Sequence, residues 1–209
     1  LTTWQIAGLT TAQAAALTST QAQSLTTRQL LGMETADVAA LATFSVQALT
    51  TLQMLALSTS AVAGISTAQA AVLGSVQLLG LTTVQVAAME TADIASLNTL
   101  ALAGMATLQI VGLGTAQAAA LTSTQIQALG TAQIAALETV DVASLTTFSM
   151  AALGTVQVLA LTTAQVAALN TAQALGLTTL QVFTLATAQI AALATSSVPV
   201  SYTHLTLPT

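Results

Sequence analysis

The sequence lacks cysteine and contains very few charged, aromatic or proline residues. Its 209 residues include one Lys or Arg, six Asp or Glu and two Pro, and 3% of the chain is charged. A single cation, Arg28, cannot neutralise a run of phosphates, so the composition excludes nucleic-acid binding. The absence of Cys excludes disulfides and thiolate zinc sites. Hydrophobic residues make up 55% of the sequence, which disfavours disorder.

What the sequence contains is one repeat of eight residues, which runs without insertion or deletion from residue 1 to residue 200. Position one is Leu in 21 of the 25 octads, and position three is always Thr or Ser. Position five is Gln in 17 octads and Asp in three, and position six is always apolar. We therefore predict a single octapeptide-repeat domain over residues 1–199, with about 25 units, that is a fragment of a longer array.

The sequence also contains a longer internal similarity, in addition to the eight-residue repeat. The segment 17–64 resembles 121–168, and Phe44 matches Phe148, at an offset of 13 octads. This indicates that the array grew by copying whole octads.

Three backbone conformations are candidates for a period of eight residues. In one continuous α-helix, successive leucines would be displaced by about 80° around the axis, so no face could be buried. In a β-strand, Leu, Thr, Gln and Ala would share one side, and Gln and Ala are poor strand formers. A short helix and a turn in each octad fits best, because positions six and nine are neighbours on a helical face. The sequence predicts an all-α solenoid of short helices, one helix-turn unit per octad, with a β-solenoid as the alternative.

The octad also predicts local features of each unit. The helix is expected over positions four to nine, with an N-cap at position three or, in an alternative phasing, a T-x-x-Q capping box that starts at position two. Small residues at position eight would let turns approach closely, and glycines there could adopt a positive φ. We expect a Leu, Val, Ile and Ala interior with Thr and Gln in rows. Trp4, Phe44, Phe148 and Phe183 would be local core fillers, and Arg28 would face solvent.

Polar residues along the repeat, the C-terminal tail and the lack of catalytic groups limit the class of protein. A polar residue interrupts every octad, so membrane insertion is not expected. Residues 200–209 break the repeat and resemble the translation of a sequencing-library adapter, which makes this tail non-native. It contains His204, the one His of the chain. We expect no enzyme activity, because Ser and Thr hydroxyls without an activating partner are not nucleophiles.

All six acids occur in three E-T-x-D octads. We expect no cofactor and no metal site, and the candidates for a cation or acid/base site are Glu34, Asp37, Glu90, Asp93, Glu138 and Asp141. The favoured interpretation is that carboxylates at a helix start interact with its dipole and keep an apolar rod soluble. Since successive copies are seven and six octads apart, they would not be adjacent in a solenoid.

The pattern L-[TS]-T-x-[QD]-[VIL]-x-[AG] resembles long tandem arrays in very large bacterial secreted or surface proteins of the haem-utilisation, adhesin and RTX-like kind. The sequence is also similar to the start of TAL-effector repeats, but the likeness is short, since the longer period and the basic charge of that family are absent. The resemblance to the bacterial arrays implies an extracellular or cell-surface spacer rod. The alternatives are a solenoid that binds a protein or surface, cation-dependent assembly, self-association through the solenoid ends, and ice binding, because regular Thr rows resemble ice-binding faces.

Overall fold

Each octad forms one short α-helix in the computed structural model, which describes residues 3–195. The described chain contains 24 helices and no strand. The predicted all-α solenoid is therefore confirmed, and the β-solenoid alternative is wrong. The tail at 200–209, with His204, lies outside the described residues.

The helices form three parallel rows, because each helix packs against the helix three places further along the chain. One coil of the solenoid is thus three octads, as between the starts of α4 at Thr27 and α7 at Thr51. Row A consists of α1 (Thr3–Ala7), α4 (Thr27–Leu30), α7 (Thr51–Ala56), α10 (Ser75–Leu79), α13 (Thr99–Ala103), α16 (Ser123–Ala128), α19 (Thr147–Ala152) and α22 (Thr171–Gly176). Row B consists of α2 (Thr11–Ala15), α5 (Thr35–Ala40), α8 (Thr59–Ala63), α11 (Thr83–Ala88), α14 (Thr107–Val111), α17 (Thr131–Ala136), α20 (Thr155–Ala160) and α23 (Thr179–Thr184). Row C consists of α3 (Ser19–Ser24), α6 (Thr43–Gln47), α9 (Thr67–Ala71), α12 (Thr91–Ser96), α15 (Thr115–Ala119), α18 (Thr139–Ser144), α21 (Thr163–Ala167) and α24 (Thr187–Thr195).

Each helix begins at position three and takes its N-cap from position two. Thr82 has extended dihedrals (φ −75°, ψ 165°), and its hydroxyl accepts from the backbone N–H of Gln85 at 3.2 Å. The Gln85 side chain accepts in turn from the backbone N–H of Thr82 at 2.8 Å. This is the capping box of the alternative phasing, which is confirmed. The N-cap predicted at position three is wrong, because that residue is already the first residue of the helix.

The helices end at position seven or eight, before the predicted end at position nine, except α4, which ends at position six, and α24, which continues to Thr195. The residue after the helix is in the αR region, as at Gly80 (φ −75°), or extended or close to extended, as at Leu129 (φ −67°, ψ 138°). No residue of the described chain has a positive φ. The prediction of left-handed glycine caps is therefore wrong: an extended position-one residue turns the corner without one.

Small residues at position eight allow close approach between coils, as predicted. A Cβ at Gly80 would collide with the carbonyl oxygen of Thr51 and lie 2.9 Å from the Cβ of Met54 in the preceding coil. Ala at position eight occurs in both kinds of corner: Ala56 and Ala88 are the last residues of their helices and precede an extended residue, whereas Ala120 follows its helix in the αR region.

The core runs the length of the solenoid and is built from positions one and six. Leu113 and Leu121 at position one, and Ile110 and Ile126 at position six, are at most 3% exposed. They belong to one continuous apolar cluster that extends from Ile6 to Leu185. The predicted interior is confirmed. A short octad cannot bury enough apolar surface alone, so this shared core is what holds each unit.

Positions four and seven point away from the core, so the aromatic residues that occupy them are not core fillers. Trp4, Phe44, Phe148 and Phe183 are between 54% and 88% exposed, which corrects the prediction for all four. Arg28, also at position four, is exposed as expected. The longest described helix has nine residues, and none of the described helices has the length and apolar character to cross a bilayer.

Candidate functional site

Position five is the polar position that the fold turns inward. It is the third residue of each helix, next to the buried position six, and it faces the preceding coil. Gln85, Gln117, Gln125 and Gln165 are each 4% exposed or less. A buried amide needs hydrogen-bond partners for both its oxygen and its nitrogen, and the repeat supplies them from two different coils.

Gln117 shows the arrangement of these partners. Its Oε1 accepts from the backbone N–H of its own N-cap residue, Gly114, at 2.8 Å. Its Nε2 donates to the carbonyl oxygens of Val86 and Met89 in the preceding coil, at 2.9 and 2.6 Å. These carbonyls lie in the last turn of α11 and at the corner that follows it, where C=O groups are short of backbone partners; the Val86 carbonyl also accepts from the Met89 N–H. One side chain therefore caps the start of its own helix and the corner of the coil below.

The same bonds recur along the solenoid, and we call the series the glutamine ladder. Donation from Nε2 to the carbonyl 28 residues earlier joins Gln53 to Leu25, Gln69 to Leu41, Gln77 to Leu49, Gln85 to Leu57, Gln109 to Leu81, Gln117 to Met89, Gln125 to Leu97, Gln133 to Met105, Gln157 to Leu129, Gln165 to Leu137, Gln173 to Leu145, Gln181 to Leu153 and Gln189 to Leu161. The row of Gln predicted from the sequence is confirmed. The octad pattern alone did not reveal that this row of Gln bonds one coil to the next.

Other residues replace Gln at some rungs and keep part of the bonding. Ser149 donates from its hydroxyl to the carbonyl of Leu121, 28 residues earlier, at 3.1 Å. Ala101 cannot donate, but Asn98 at position two of that octad donates to the carbonyl of Leu73 at 2.7 Å. That carbonyl is the one that a Gln in place of Ala101 would reach in the ladder. Asn98 at position two thus supplies the missing rung. An Asn at position two together with an apolar residue at position five of the same octad is the sequence signal for this substitute bond.

The three acidic octads place their two carboxylates in different surroundings. Glu34, Glu90 and Glu138 occupy position two and are exposed, and none of them makes a side-chain cap hydrogen bond. Asp37, Asp93 and Asp141 occupy position five and are 3%, 1% and 1% exposed. The interpretation that both acids keep the rod soluble does not fit the buried Asp residues, and for the exposed Glu residues it stays a prediction. The Asp residues occupy position five, where the glutamine ladder has an amide donor.

An ionised carboxylate has no proton to donate at this position, and two of the three Asp residues are left incompletely paired. Oδ2 of Asp93 and Oδ2 of Asp141 are buried without a hydrogen-bond partner. Burial raises the pKa of Asp141, while hydrogen bonds from the Thr115 hydroxyl and the Glu138 backbone lower it, and the Glu138 charge raises it. Burial likewise raises the pKa of Asp93, against a hydrogen bond from Thr67. The fold favours the protonated acid at both places.

The candidate acids do not form a common site. Asp93 in α12 and Asp141 in α18 are both in row C but are separated by the coil of α15, and Asp37 lies in row B. No group of three or more His, Cys, Asp or Glu side chains that could hold a metal ion occurs within residues 3–195. A shallow surface depression of about 540 Å³ adjoins Glu138, and its other side chains include Val111 and Gln165. It brings no second ionisable group to Glu138.

Comparison with known proteins supports the tandem repeat. The ALTTAQ repeat family matches residues 86–131, 119–147 and 134–171, in three overlapping stretches. Each match lies within the described solenoid and spans several octads. Comparison with curated proteins finds no match. Over residues 86–171 the chain is therefore similar to the ALTTAQ repeat family and is a tandem array of short helical units.

Proposed function

We propose that this chain is a structural rod that spaces or presents other domains of a large bacterial surface or secreted protein. The observation that carries the proposal is the uniformity of the glutamine ladder. The bond from Gln53 to Leu25 recurs, with the same spacing of 28 residues, at Gln189 and Leu161. A coil near one end is therefore held by the same contacts as a coil near the other, and length can change by whole coils without a new core.

The rod's chemistry agrees with a structural role. The glutamines of its ladder bond to backbone carbonyls, and the exposed acids are single Glu residues in separate coils. We propose accordingly that the chain acts without catalysis and without a cofactor.

Length variants of the whole chain test the mechanical part of the proposal. A fluorescent donor and acceptor fused to the two ends should report a distance that falls by roughly 8–10 Å for each deleted coil, the spacing of packed helices. A distance that does not change with coil number would contradict the rod.

The location needs its own test. An antibody raised against the solenoid should label intact, unpermeabilised cells or bind to protein in the culture medium. Labelling only after lysis would contradict a surface or secreted location while leaving the rod intact.

The second candidate function is a binding module, which would need a contiguous apolar or Thr-rich patch on one face. Row A provides an apolar patch, since Leu52, Leu55 and Leu100 are at least 50% exposed. A chain that binds a surface through row A should lose that binding when Leu52 is replaced by Lys.

A further inference from the structure

Row A carries a continuous stripe of exposed apolar side chains. The row A stripe consists of Trp4, Leu31, Leu52, Leu55, Val76, Leu79 and Leu100, which are 88%, 63%, 66%, 50%, 55%, 50% and 82% exposed. They belong to α1, α4, α7, α10 and α13 or to the residue that directly follows one of these helices, and each helix packs directly against the next. The stripe therefore extends without a gap across the first five coils.

The repeat does not require this stripe. It occupies positions four and seven, which the core does not use and which vary freely. In row C position four is mostly Ala, as at Ala68 and Ala116, and in row B the large apolar residues form shorter runs, which Ala132 interrupts. In row A itself Thr124 and Gln127 take the two positions in the sixth coil and end the stripe, and the exposed Phe148 and Leu175 lie beyond this interruption. An unbroken run of large apolar residues along five coils, with a polar end, indicates a surface that meets a partner.

The area of the stripe suits a specific protein interface. With about 150 Å² for each large apolar side chain, the lower end of the range for aromatic residues, the exposed fractions amount to roughly 700 Å². A standard interface covers about 800 Å² per partner, whereas the largest apolar patch on an ordinary monomer is about 300–600 Å².

The distribution of charge leaves row A free to meet a second copy of this chain. All six acids lie in rows B and C, in the octads of α5, α12 and α18. The six negative charges are therefore kept away from the stripe, whose row contains one charged residue, the exposed Arg28 at position four of the second coil. A partner recognised by opposite charge would find almost nothing to bind on this face, and anionic lipid would meet an acidic protein.

The periodic spacing of the stripe also points to a second copy. Each of the five coils contributes one or two of its side chains, so a partner can interdigitate over the whole stripe only if it has the same axial repeat. An antiparallel copy, related by a two-fold axis through the third coil, would place Trp4 opposite Leu100 and bring the Leu52 and Leu55 pairs together. In this arrangement the two Arg28 side chains are two coils apart, whereas a parallel pair would place them side by side.

We propose that two copies of this chain associate laterally and antiparallel through the row A stripe, which makes a two-stranded rod. The inference stands independently of the spacer function, because a free rod could pair in the same way. It differs from association through the solenoid ends, since it uses one side of the rod.

Two single-octad deletions in the whole chain test the proposal. Removing residues 65–72 takes out one octad between α7 and α10 and rotates everything after it by one third of a coil. Val76, Leu79 and Leu100 then leave the row of Leu52, and the stripe is split. Removing residues 129–136 is the matched control, since it also deletes one octad but lies beyond the stripe. Sedimentation equilibrium should show a dimer for the unaltered chain and the control, and at least tenfold weaker association for the first deletion.

A point variant provides a second readout that does not alter the backbone. Leu52→Lys introduces a charge at the centre of the stripe and should weaken the dimer at least tenfold. Leu108→Lys changes a position-four residue of row B that is 71% exposed, and should leave the dimer unchanged. Circular dichroism should be the same for both, because neither side chain is buried. An unaltered chain that stays monomeric at micromolar concentrations, or equal weakening by both variants, would overturn the proposal.

Orientation and the lipid alternative have separate measurements. Spin labels at Thr124→Cys, in the sixth coil, should be roughly 50–60 Å apart in an antiparallel dimer, which is six coils. A distance below about 20 Å, the separation expected for side-by-side positions of a parallel pair, would overturn the antiparallel arrangement. Flotation with vesicles of neutral lipid, and of neutral lipid with one quarter anionic lipid, should leave the chain at the bottom. Co-flotation that Leu52→Lys abolishes would assign the stripe to a lipid surface and overturn pairing with a second copy.

Discussion

Gln117 donates a hydrogen bond from its side-chain amide to the carbonyl oxygen of Met89, 28 residues earlier in the chain, at 2.6 Å. This contact relates position five of one octad to position one of another, three octads before it. The coil of three octads is therefore connected by polar bonds as well as by the apolar core. The stability of each coil and its tolerance of deletions depend on this register.

Truncation of a rung should destabilise the solenoid. Gln117→Ala removes the donor to the Met89 carbonyl and the acceptor for the Gly114 N–H, and it leaves the Val86 carbonyl with only the bond from the Met89 N–H. The expected loss is about 2–4 kcal/mol of unfolding free energy, measured by urea denaturation. Gln127→Ala is the control, since Gln127 is exposed at position seven, and it should change stability by less than about 0.5 kcal/mol. Equal effects would contradict the ladder.

Restoring the amide at an acidic rung should stabilise the protein. Asp141→Gln removes a buried oxygen that lacks a partner and supplies a donor toward the carbonyl of Leu113, the position-one residue of the octad one coil earlier. We expect a gain of about 1–3 kcal/mol at pH 7. Glu138→Gln changes the exposed acid of the same octad and should have little effect. A loss of stability in Asp141→Gln would show that the carboxylate has a partner that the register does not provide.

Stability should increase as the pH falls toward 4. Burial raises the pKa of Asp93 and Asp141 in the folded state above the ordinary value of 3.8, so the folded state binds protons more tightly than the unfolded state. The penalty for the charged form is fully present above the folded pKa and disappears as the pH drops through that pKa to 3.8. The melting temperature should therefore rise on acidification from pH 7 to pH 4. In the double variant Asp93→Gln, Asp141→Gln this rise should largely vanish.

Deletions should be tolerated only as whole octads. Removing residues 129–136 keeps every later Gln facing a corner carbonyl, because all octads share one register. Removing residues 129–135 instead shifts the later helices by one residue, so positions one, five and six no longer align with the coil before. The first variant should unfold cooperatively near the melting temperature of the unaltered chain. The second should lose cooperativity or melt at least about 10 °C lower, which corresponds to the loss of several core and ladder contacts.

The similarity between segments 17–64 and 121–168 shows what an insertion or deletion of whole octads does to the surface. Their offset of 13 octads is not a multiple of three, so the copy lies one row further around the solenoid. Phe44 is therefore in row C and Phe148 in row A. The core positions are unaffected by this rotation, whereas the exposed positions four and seven acquire new neighbours. Copying whole octads thus changes the surface and preserves the fold.

The octad predicted the helical unit and its core because both depend on local spacing. Position six and the following Leu are close on any short helix, so their burial could be inferred without the coil. The number of octads per coil could not be predicted, since identical units do not reveal the angle between successive helices. The partners of Gln117 lie 28 to 31 residues away and depend on that angle. The burial of Asp93 and the exposure of Phe148 depend on it for the same reason.

The most direct measurement is the distance between spin labels on equivalent positions of row C. Ala68, Ala116 and Ala164 are exposed position-four residues, and each is two coils from the next. Labels at Ala68→Cys and Ala116→Cys should be roughly 16–20 Å apart, and labels at Ala68→Cys and Ala164→Cys roughly 32–40 Å apart, from the spacing of packed helices. A first distance of about 70 Å, as in one continuous helix, or a second that is not about twice the first, would contradict three short helices per coil.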